Sequence, residues 1–198
     1  PWQKAELRID GLSYPEHGTS HFVVIDDEGN IASMTTTIES AFGSRQMVDG
    51  FLVNNELTDF TFAPVKDGSA VANRVEPGKR PRSSMAPTIV MKGGKPVIAI
   101  GSPGGSNIIS YVAEALIAMI DWKMDIQQAV SLPHFVNRFG PYDLEAGTKA
   151  ANMVKDLEAL GYETKIDDQN SGLHGIEITP VGIEGGADPR REGVALGD

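Results

Sequence analysis

Four stretches of this 198-residue chain carry residue types whose spacing could support chemistry. Residues 101–106, GSPGGS, join a strand-like run to a helix-like run. Glycines there let the backbone approach a ligand closely, and a helix start adds positive potential. The adjacent N–H groups of Gly104 and Gly105 could form an oxyanion hole, although a tight strand–helix turn explains the same glycines. No Lys-Ser or Lys-Thr follows, so the stretch is not a Walker phosphate loop. Residues 79–88, KRPRSSMAPT, set Ser83 and Ser84 between a basic cluster and a strand. Those hydroxyls could donate to a carboxylate, or close a turn. Residues 54–60, NNELTDF, place Glu56 and Asp59 on one helical face, where they could hold an ammonium group or cap a solvated turn. Thr19-Ser20-His21 puts a hydroxyl beside a histidine. Adjacent strand residues point to opposite faces, so Ser20 and His21 are not partners. Thr19 and His21 share a face, but no acid is visible to orient the ring. His17, His134 and His174 are scattered, and no metal-type histidine spacing exists.

The elements that must position these residues follow from the apolar pattern. HFVVI (21–25), the turn DDEGN, and IASMTTTI (31–38) predict a β-hairpin. TIVMK, Gly93-Gly94 and the run to Gly101 predict a second one over 88–101. Between Ser106 and Asp121, Ile108, Ile109, Val112, Leu116, Met119 and Ile120 fall at helical spacing, with Ser106 as N-cap. A helix is expected from Thr148 to Leu160, stopped at Gly161, and a shorter one over 125–131 ahead of Pro133. Strands are expected at 163–167 and 173–179, and the Gly-rich segment 182–198 reads mostly as loop. Residues 1–18 read as an extended leader. The order is strands, helices, strands, which favours a layered α+β fold over a doubly wound one.

Composition excludes several classes. The 27 acidic and 17 basic residues give a net charge of −10, which disfavours nucleic acid or an anionic membrane surface as partner. With no cysteine, disulfides, thiolate catalysis and Cys-ligated metals are out. No apolar run approaches the roughly 20 residues of a membrane span. The chain opens Pro1-Trp2-Gln3, without Met or signal sequence, so a processed chain or fragment is expected.

Taken together, Thr19-Ser20-His21, the Thr-rich strand with Phe42-Gly43, Asn54-Asn55-Glu56 with Asp59-Phe60, KRPRSSMAPT and GSPGGS come in an order that resembles the small, catalytic subunit of γ-glutamyltranspeptidases. These are N-terminal nucleophile (Ntn) hydrolases. The resemblance implies a four-layer αββα sandwich and a precursor that cuts itself between Gly18 and Thr19. Residues 1–18 would then be the tail of the large subunit, and 19–198 the catalytic domain. Cleavage would give Thr19 a free α-amine, of pKa about 7.7–8.0, as base for its own hydroxyl. By the same resemblance Thr37 hydrogen-bonds the nucleophile, Glu56 and Asp59 hold the α-amino group of a γ-glutamyl moiety, and Ser83 and Ser84 hold its α-carboxylate. Gly104 and Gly105 form the oxyanion hole. The implied reaction transfers a γ-glutamyl group to water or an amine through a Thr19 ester, with no cofactor or metal.

Three departures qualify that expectation. Glu39 stands where well-studied members have an Asn near the glutamyl amino group; the added carboxylate either strengthens ammonium binding or repels a second acid. The segment between Phe60 and Ser83 is short and lacks Tyr, so the aromatic lid of some bacterial members is missing. The family's large subunit, which supplies an Arg to the substrate carboxylate, is the expected partner; without it, exposed apolar surface and a homodimer are expected. Export to the periplasm or outside the cell is implied by the family. Two alternatives stay open: an acylase or depolymerase of glutaryl or poly-γ-glutamyl amides on the same scaffold, and an unprocessed chain serving as a structural module.

Overall fold

The computed structural model describes residues 18–197. Except for Gly18, the stretch expected to be a large-subunit tail lies outside the described residues. The chain forms two compact units. The larger takes Thr19–Thr37 and the chain from Ser84 onward; the smaller takes Gly18 and Ile38–Ser83.

The larger unit opens with the expected hairpin, β1 (Thr19–Ile25) and β2 (Ile31–Thr37), antiparallel with Thr19 opposite Thr37 and Ile25 opposite Ile31. Its turn forms because Asp26 accepts hydrogen bonds from the N–H groups of Glu28 (3.0 Å) and Asn30 (2.8 Å), the way Asp favours turns. Side chains alternate: Thr19 and His21 are buried, while Phe22 and Val24 are exposed. The smaller unit holds two short hairpins, β3 (Met47–Val48) with β4 (Phe51–Leu52), and β5 (Val65–Lys66) with β6 (Ser69–Ala70). A 3-10 turn, Glu56–Asp59, lies between them. Among the described residues of this unit, Phe60 and Val71 are the buried large apolar side chains.

Back in the larger unit, β7 (Thr88–Lys92) and β8 (Lys95–Gly101) pair around Gly93-Gly94 as the turn chemistry predicts. After β8 come α1 (Ile108–Ile120), α2 (Ile126–Val130), β9 (Phe135–Asn137), β10 (Tyr142–Glu145), α3 (Val154–Ala159) and β11 (Thr164–Asp167). The chain then adds β12 (His174–Thr179) and β13 (Gly182–Ala187), giving a four-stranded sheet in the order β13-β12-β8-β7. Strands β11-β10-β9 form a separate three-stranded sheet. Ile98 and Ile100 of β8 pack into one core with Ile108, Tyr111 and Val112 of α1 and Ile126 of α2. Each such fully buried apolar side chain contributes about 1.5–3 kcal/mol. The opposite face of β8 meets the hairpin: a Cβ on Gly101 would lie 2.3 Å from Cε1 of His21. Helices, sheet and hairpin are thus successive layers, an α+β arrangement of the expected type.

Three expectations change. Ser106 is not the cap of α1; it sits inside a 3-10 turn, Gly105–Asn107, and α1 starts at Ile108. Gly104, at φ 131°, turns the chain too sharply for a capped α-helix to begin at Ser106. The helix expected from Thr148 is half 3-10 (Lys149–Met153) before α3, although Thr148 does cap it, accepting from Ala150 N (3.2 Å). Segment 182–198 is not mostly loop at its start: β13 pairs with β12 over six residues.

A buried polar ring closes the larger unit. His134 contacts Glu114 (2.6 Å) and Ser171 (2.8 Å); Ser171 donates to Asp188 (2.6 Å); Arg190 reaches Asp188 (2.9 Å) and forks onto both oxygens of Glu145 (2.6 and 2.7 Å). Glu145 in turn accepts from His134 N (2.8 Å). Burial opposes ionisation of Asp188 and Glu145, but the hydrogen bonds from Ser171 and Arg190, with Arg190's charge, hold both carboxyls below their ordinary range. Among the described residues no helix is long and apolar enough to cross a membrane.

Candidate active site

Thr19 is the first residue of β1 and is 3% exposed. Its side chain faces inward because strand residues alternate, and its Oγ1 donates to Oγ1 of Thr37, directly opposite, at 3.0 Å. Two residues on and on the same face, Nδ1 of His21 lies 2.8 Å from Oγ1 of Thr35 and Nε2 lies 3.5 Å from Oγ of Ser33. The inner face of this hairpin is therefore polar where a sandwich interior is ordinarily apolar. Burial, with His174 adding repulsion, depresses the His21 pKa to about 4, so the ring is neutral near pH 7. Among the described residues no acid orients it; Thr35 does.

Arg191 gathers three pieces of the larger unit. It donates to the Thr19 carbonyl (3.4 Å) and to the Asn170 carbonyl (2.8 Å through Nη2, 3.2 Å through Nε). The neighbouring Gln169 accepts from Tyr111 OH through Oε1 at 2.7 Å, with Asn170 Oδ1 further off at 3.4 Å. The Tyr111 ring packs under Gly104, where a Cβ would lie 2.5 Å from it. The turn of Gly104 and Gly105 is thus backed by Tyr111. Ser102 fixes its approach, donating to the Pro103 carbonyl (2.6 Å) and accepting from Gly172 N (3.1 Å). Ser84 also belongs to this unit and is half-buried.

The smaller unit holds the acidic residues. Glu39 is 8% exposed and has φ 68°, a left-handed backbone unusual for a side chain of its kind. Its carboxylate accepts from Ser40 Oγ (2.7 Å) and from Asn55 Nδ2. Asn55 also donates to Thr58 Oγ1 (2.9 Å). Glu56 and Asp59 start and end the 3-10 turn, so they share a face as expected. Burial first, then the Glu39 carboxylate, raise the Asp59 pKa against Arg82 and a hydrogen bond with Glu56. Ser83, exposed, closes this unit. Gly18 is held in a backbone pair: its N–H donates to the Glu39 carbonyl (3.0 Å), and its carbonyl accepts from Ile38 N (3.4 Å). A Cβ at Gly18 would stand 2.6 Å from the Glu39 carbonyl oxygen, so only glycine fits before Thr19.

The structure thus brings Thr19 together with Thr37, and Glu39 with Glu56 and Asp59. Sequence reasoning missed the Thr35–His21 contact, Tyr111, Asn170 and Arg191. Only the shared face of Thr35 and Thr37 gave a local signal; Arg191 lies in a charged run with none. It also missed Ser171-His134-Glu114, which has the connectivity of a nucleophile–base–acid relay. Ser171 is 0% exposed and already donates to Asp188, so that relay is sealed and structural. Among the described residues no cluster of three or more His, Asp or Glu could hold a metal ion.

A family model described as gamma-glutamyltranspeptidase matches residues 3–198. The chain is 39% identical over 209 residues to the glutathione hydrolase proenzyme of Bacillus subtilis (strain 168), covering 100% of this chain and 35% of that one. It is 35% identical over 197 residues to the glutathione hydrolase proenzyme of Escherichia coli (strain K12), covering 94% of this chain and 34% of that one. A solved structure of an acivicin-inhibited gamma-glutamyltranspeptidase matches with a TM-score of 0.78 at 37% identity, over 87% of this chain and 98% of that chain. The chain therefore spans about a third of the length of the curated relatives it matches. The span matched includes Thr19, the acidic turn and the Gly104-Gly105 turn, and the chain belongs to the gamma-glutamyltranspeptidase family.

Proposed function

We propose that this chain carries the catalytic residues of a γ-glutamyl acyl-transfer enzyme that matures by cutting the Gly18–Thr19 bond. The observation that carries the reading is the Thr19–Thr37 hydroxyl pair at the head of β1, directly after a glycine whose carbonyl accepts from Ile38 N. The proenzyme names of the relatives support a maturation step.

In maturation, Thr19 Oγ attacks the Gly18 carbonyl carbon and the C–N bond breaks. Gly18 becomes an ester on Thr19, which keeps a free amine, and water hydrolyses that ester. In turnover the amine takes the proton from Oγ as Oγ attacks the γ-carbonyl carbon of the substrate. The N–H groups of Gly104 and Gly105 receive the developing oxyanion. The leaving amine takes the proton and departs, and water or a second amine resolves the ester, restoring the proton to Oγ. Glu56 and Asp59, with Glu39 added, attract the substrate ammonium; Ser83 and Ser84 donate to its carboxylate. A large subunit completes the enzyme. Its need is consistent with the outer face of the β1–β2 hairpin, where Phe22, Val24 and Met34 stay 44–54% exposed.

The test is made on the full-length precursor. Intact mass should show a fragment beginning at Thr19, and the matured enzyme should release p-nitroaniline from a γ-glutamyl anilide. Thr19→Ala should abolish both. Cleavage that persists in Thr19→Ala would place the nucleophile elsewhere.

A further inference from the structure

We propose that His21 is a positioning residue for acyl transfer, its ring setting the spacing between the strand that begins with Thr19 and the strand that leads into the Gly104–Gly105 turn. The inference deepens the reading above and rests on it.

Four observations converge on this ring. First, His21 is on the same face of β1 as Thr19 and is 5% exposed. It sits roughly 6.6–6.8 Å further along the strand, by the strand rise. Second, it is fixed across the ladder in the same way as Thr19: Thr37 holds Thr19 at 3.0 Å, and Thr35, opposite His21, holds Nδ1 at 2.8 Å. Third, the ring lies flush on the Gly101 backbone; a Cβ there would meet Cε1 at 2.3 Å, Nδ1 at 2.6 Å and Nε2 at 2.7 Å. Fourth, Gly101 is the last residue of β8, three residues before Gly104. The next residue, Ser102, is 0% exposed and doubly hydrogen-bonded, so a displacement of Gly101 has no slack in which to dissipate before the turn.

A flat, stiff ring against bare backbone is therefore the spacer between the nucleophile's strand and the strand of the proposed oxyanion donors. Acyl transfer needs both ends in register, since a shift of about 1 Å costs on the order of a hundredfold in rate. His21 need not touch substrate, and its neutrality near pH 7 suits a spacer better than a base. The groups proposed to hold the γ-glutamyl moiety's charges belong to other segments of the chain. Loosening the spacer should accordingly lower kcat and spare KM.

The test uses the matured full-length enzyme with γ-glutamyl p-nitroanilide, rates normalised to the amount of chain beginning at Thr19. His21→Ala is expected to lower kcat about 10- to 100-fold with KM within about twofold of the unaltered enzyme. Gly101→Ala, which forces a methyl into the ring, should lower kcat similarly. The decisive variant is His21→Ala with Gly101→Ala: the methyl then occupies vacated space, so the double variant should be no slower than His21→Ala alone. Thr35→Val keeps the side-chain volume but releases Nδ1, should lower kcat several-fold, and carries the test if His21→Ala does not mature. Unchanged kcat in His21→Ala and Thr35→Val, or losses that multiply in the double variant, overturns the proposal, whatever happens to the melting temperature. If the unaltered enzyme turns over no γ-glutamyl anilide, the functional reading falls and takes this inference with it. Turnover that His21 and Thr35 variants leave intact removes this inference alone.

Discussion

Thr19 Oγ1 donates to Thr37 Oγ1 at 3.0 Å across the first rung of the β1–β2 ladder. The bond orients the Thr19 lone pairs without withdrawing them, because a hydroxyl that donates still has two acceptor sites. Replacing Thr37 by Val keeps the shape and deletes the acceptor. Loss of one such bond is worth about 1 kcal/mol, so kcat of the matured enzyme should fall roughly fivefold or more. Precursor cleavage should slow in parallel, followed by intact mass against time.

Gly104 combines φ 131° with a Tyr111 ring 2.5 Å from the place where a Cβ would stand. Gly104→Ala should therefore displace the turn. The backbone strain alone is about 1–3 kcal/mol, and loss of an oxyanion donor costs about 10²–10³ in kcat. Chemical denaturation and steady-state kinetics measure the two effects separately. Stability that drops while kcat holds would mean the Gly104 N–H is not an oxyanion donor.

Asp59 titrates above the ordinary carboxylate range, pushed by burial and then by Glu39. Its negative charge is lost at a higher pH than usual as the solution is acidified, and with it the attraction for a substrate ammonium. KM for a γ-glutamyl donor should rise on acidification, beginning above about pH 4, the reference value for Asp. Glu39→Gln removes one of the two causes and should move that rise to lower pH. A KM profile of the two enzymes between pH 4 and 7 checks it, and coincident profiles would exclude coupling between the two carboxylates.

How much of this was legible in advance depends on whether the signal was local. Both hairpins were legible because Asp26–Asn30 and Gly93-Gly94 carry turn chemistry in their own residues. Helix α1 was legible from its apolar period, but its start was not, since Gly104 and Gly105 delay it by geometry that Ser106 cannot announce. Strand β13 was missed because GIEGGA is poor in strand-forming side chains; pairing with β12 over six residues supplies what propensity lacks. Thr19 and Thr37 were placed by resemblance to a family; the structure sets their hydroxyls 3.0 Å apart across the first rung of the hairpin. The ring around Arg190 had no local signal at all: its partner Glu145 is 45 residues away.

That ring makes a prediction about acid. Asp188 and Glu145 have pKa values below those of the unfolded chain. Their contribution to stability is complete above the unfolded values, about 3.9 and 4.3, and is lost as pH falls through the depressed folded values. Arg190→Ala leaves two carboxylates without their cation and should cost about 3–5 kcal/mol, the range for breaking a buried pair. It should also shift acid unfolding to higher pH. Melting temperature against pH for both proteins checks this; an unchanged acid limb would assign the low pKa values to Ser171 and backbone donors instead.

Arg191 touches the Thr19 carbonyl from 172 residues further along the chain. A ribosome releases residues in order, so a nascent chain displays Thr19 long before Arg191 exists to hold it. If the contact is needed for self-cleavage, the peptide cannot cut itself while most of the larger unit is still unmade. The long return of the chain would then act as a clock, tying the appearance of the nucleophile's free amine to a late stage of synthesis.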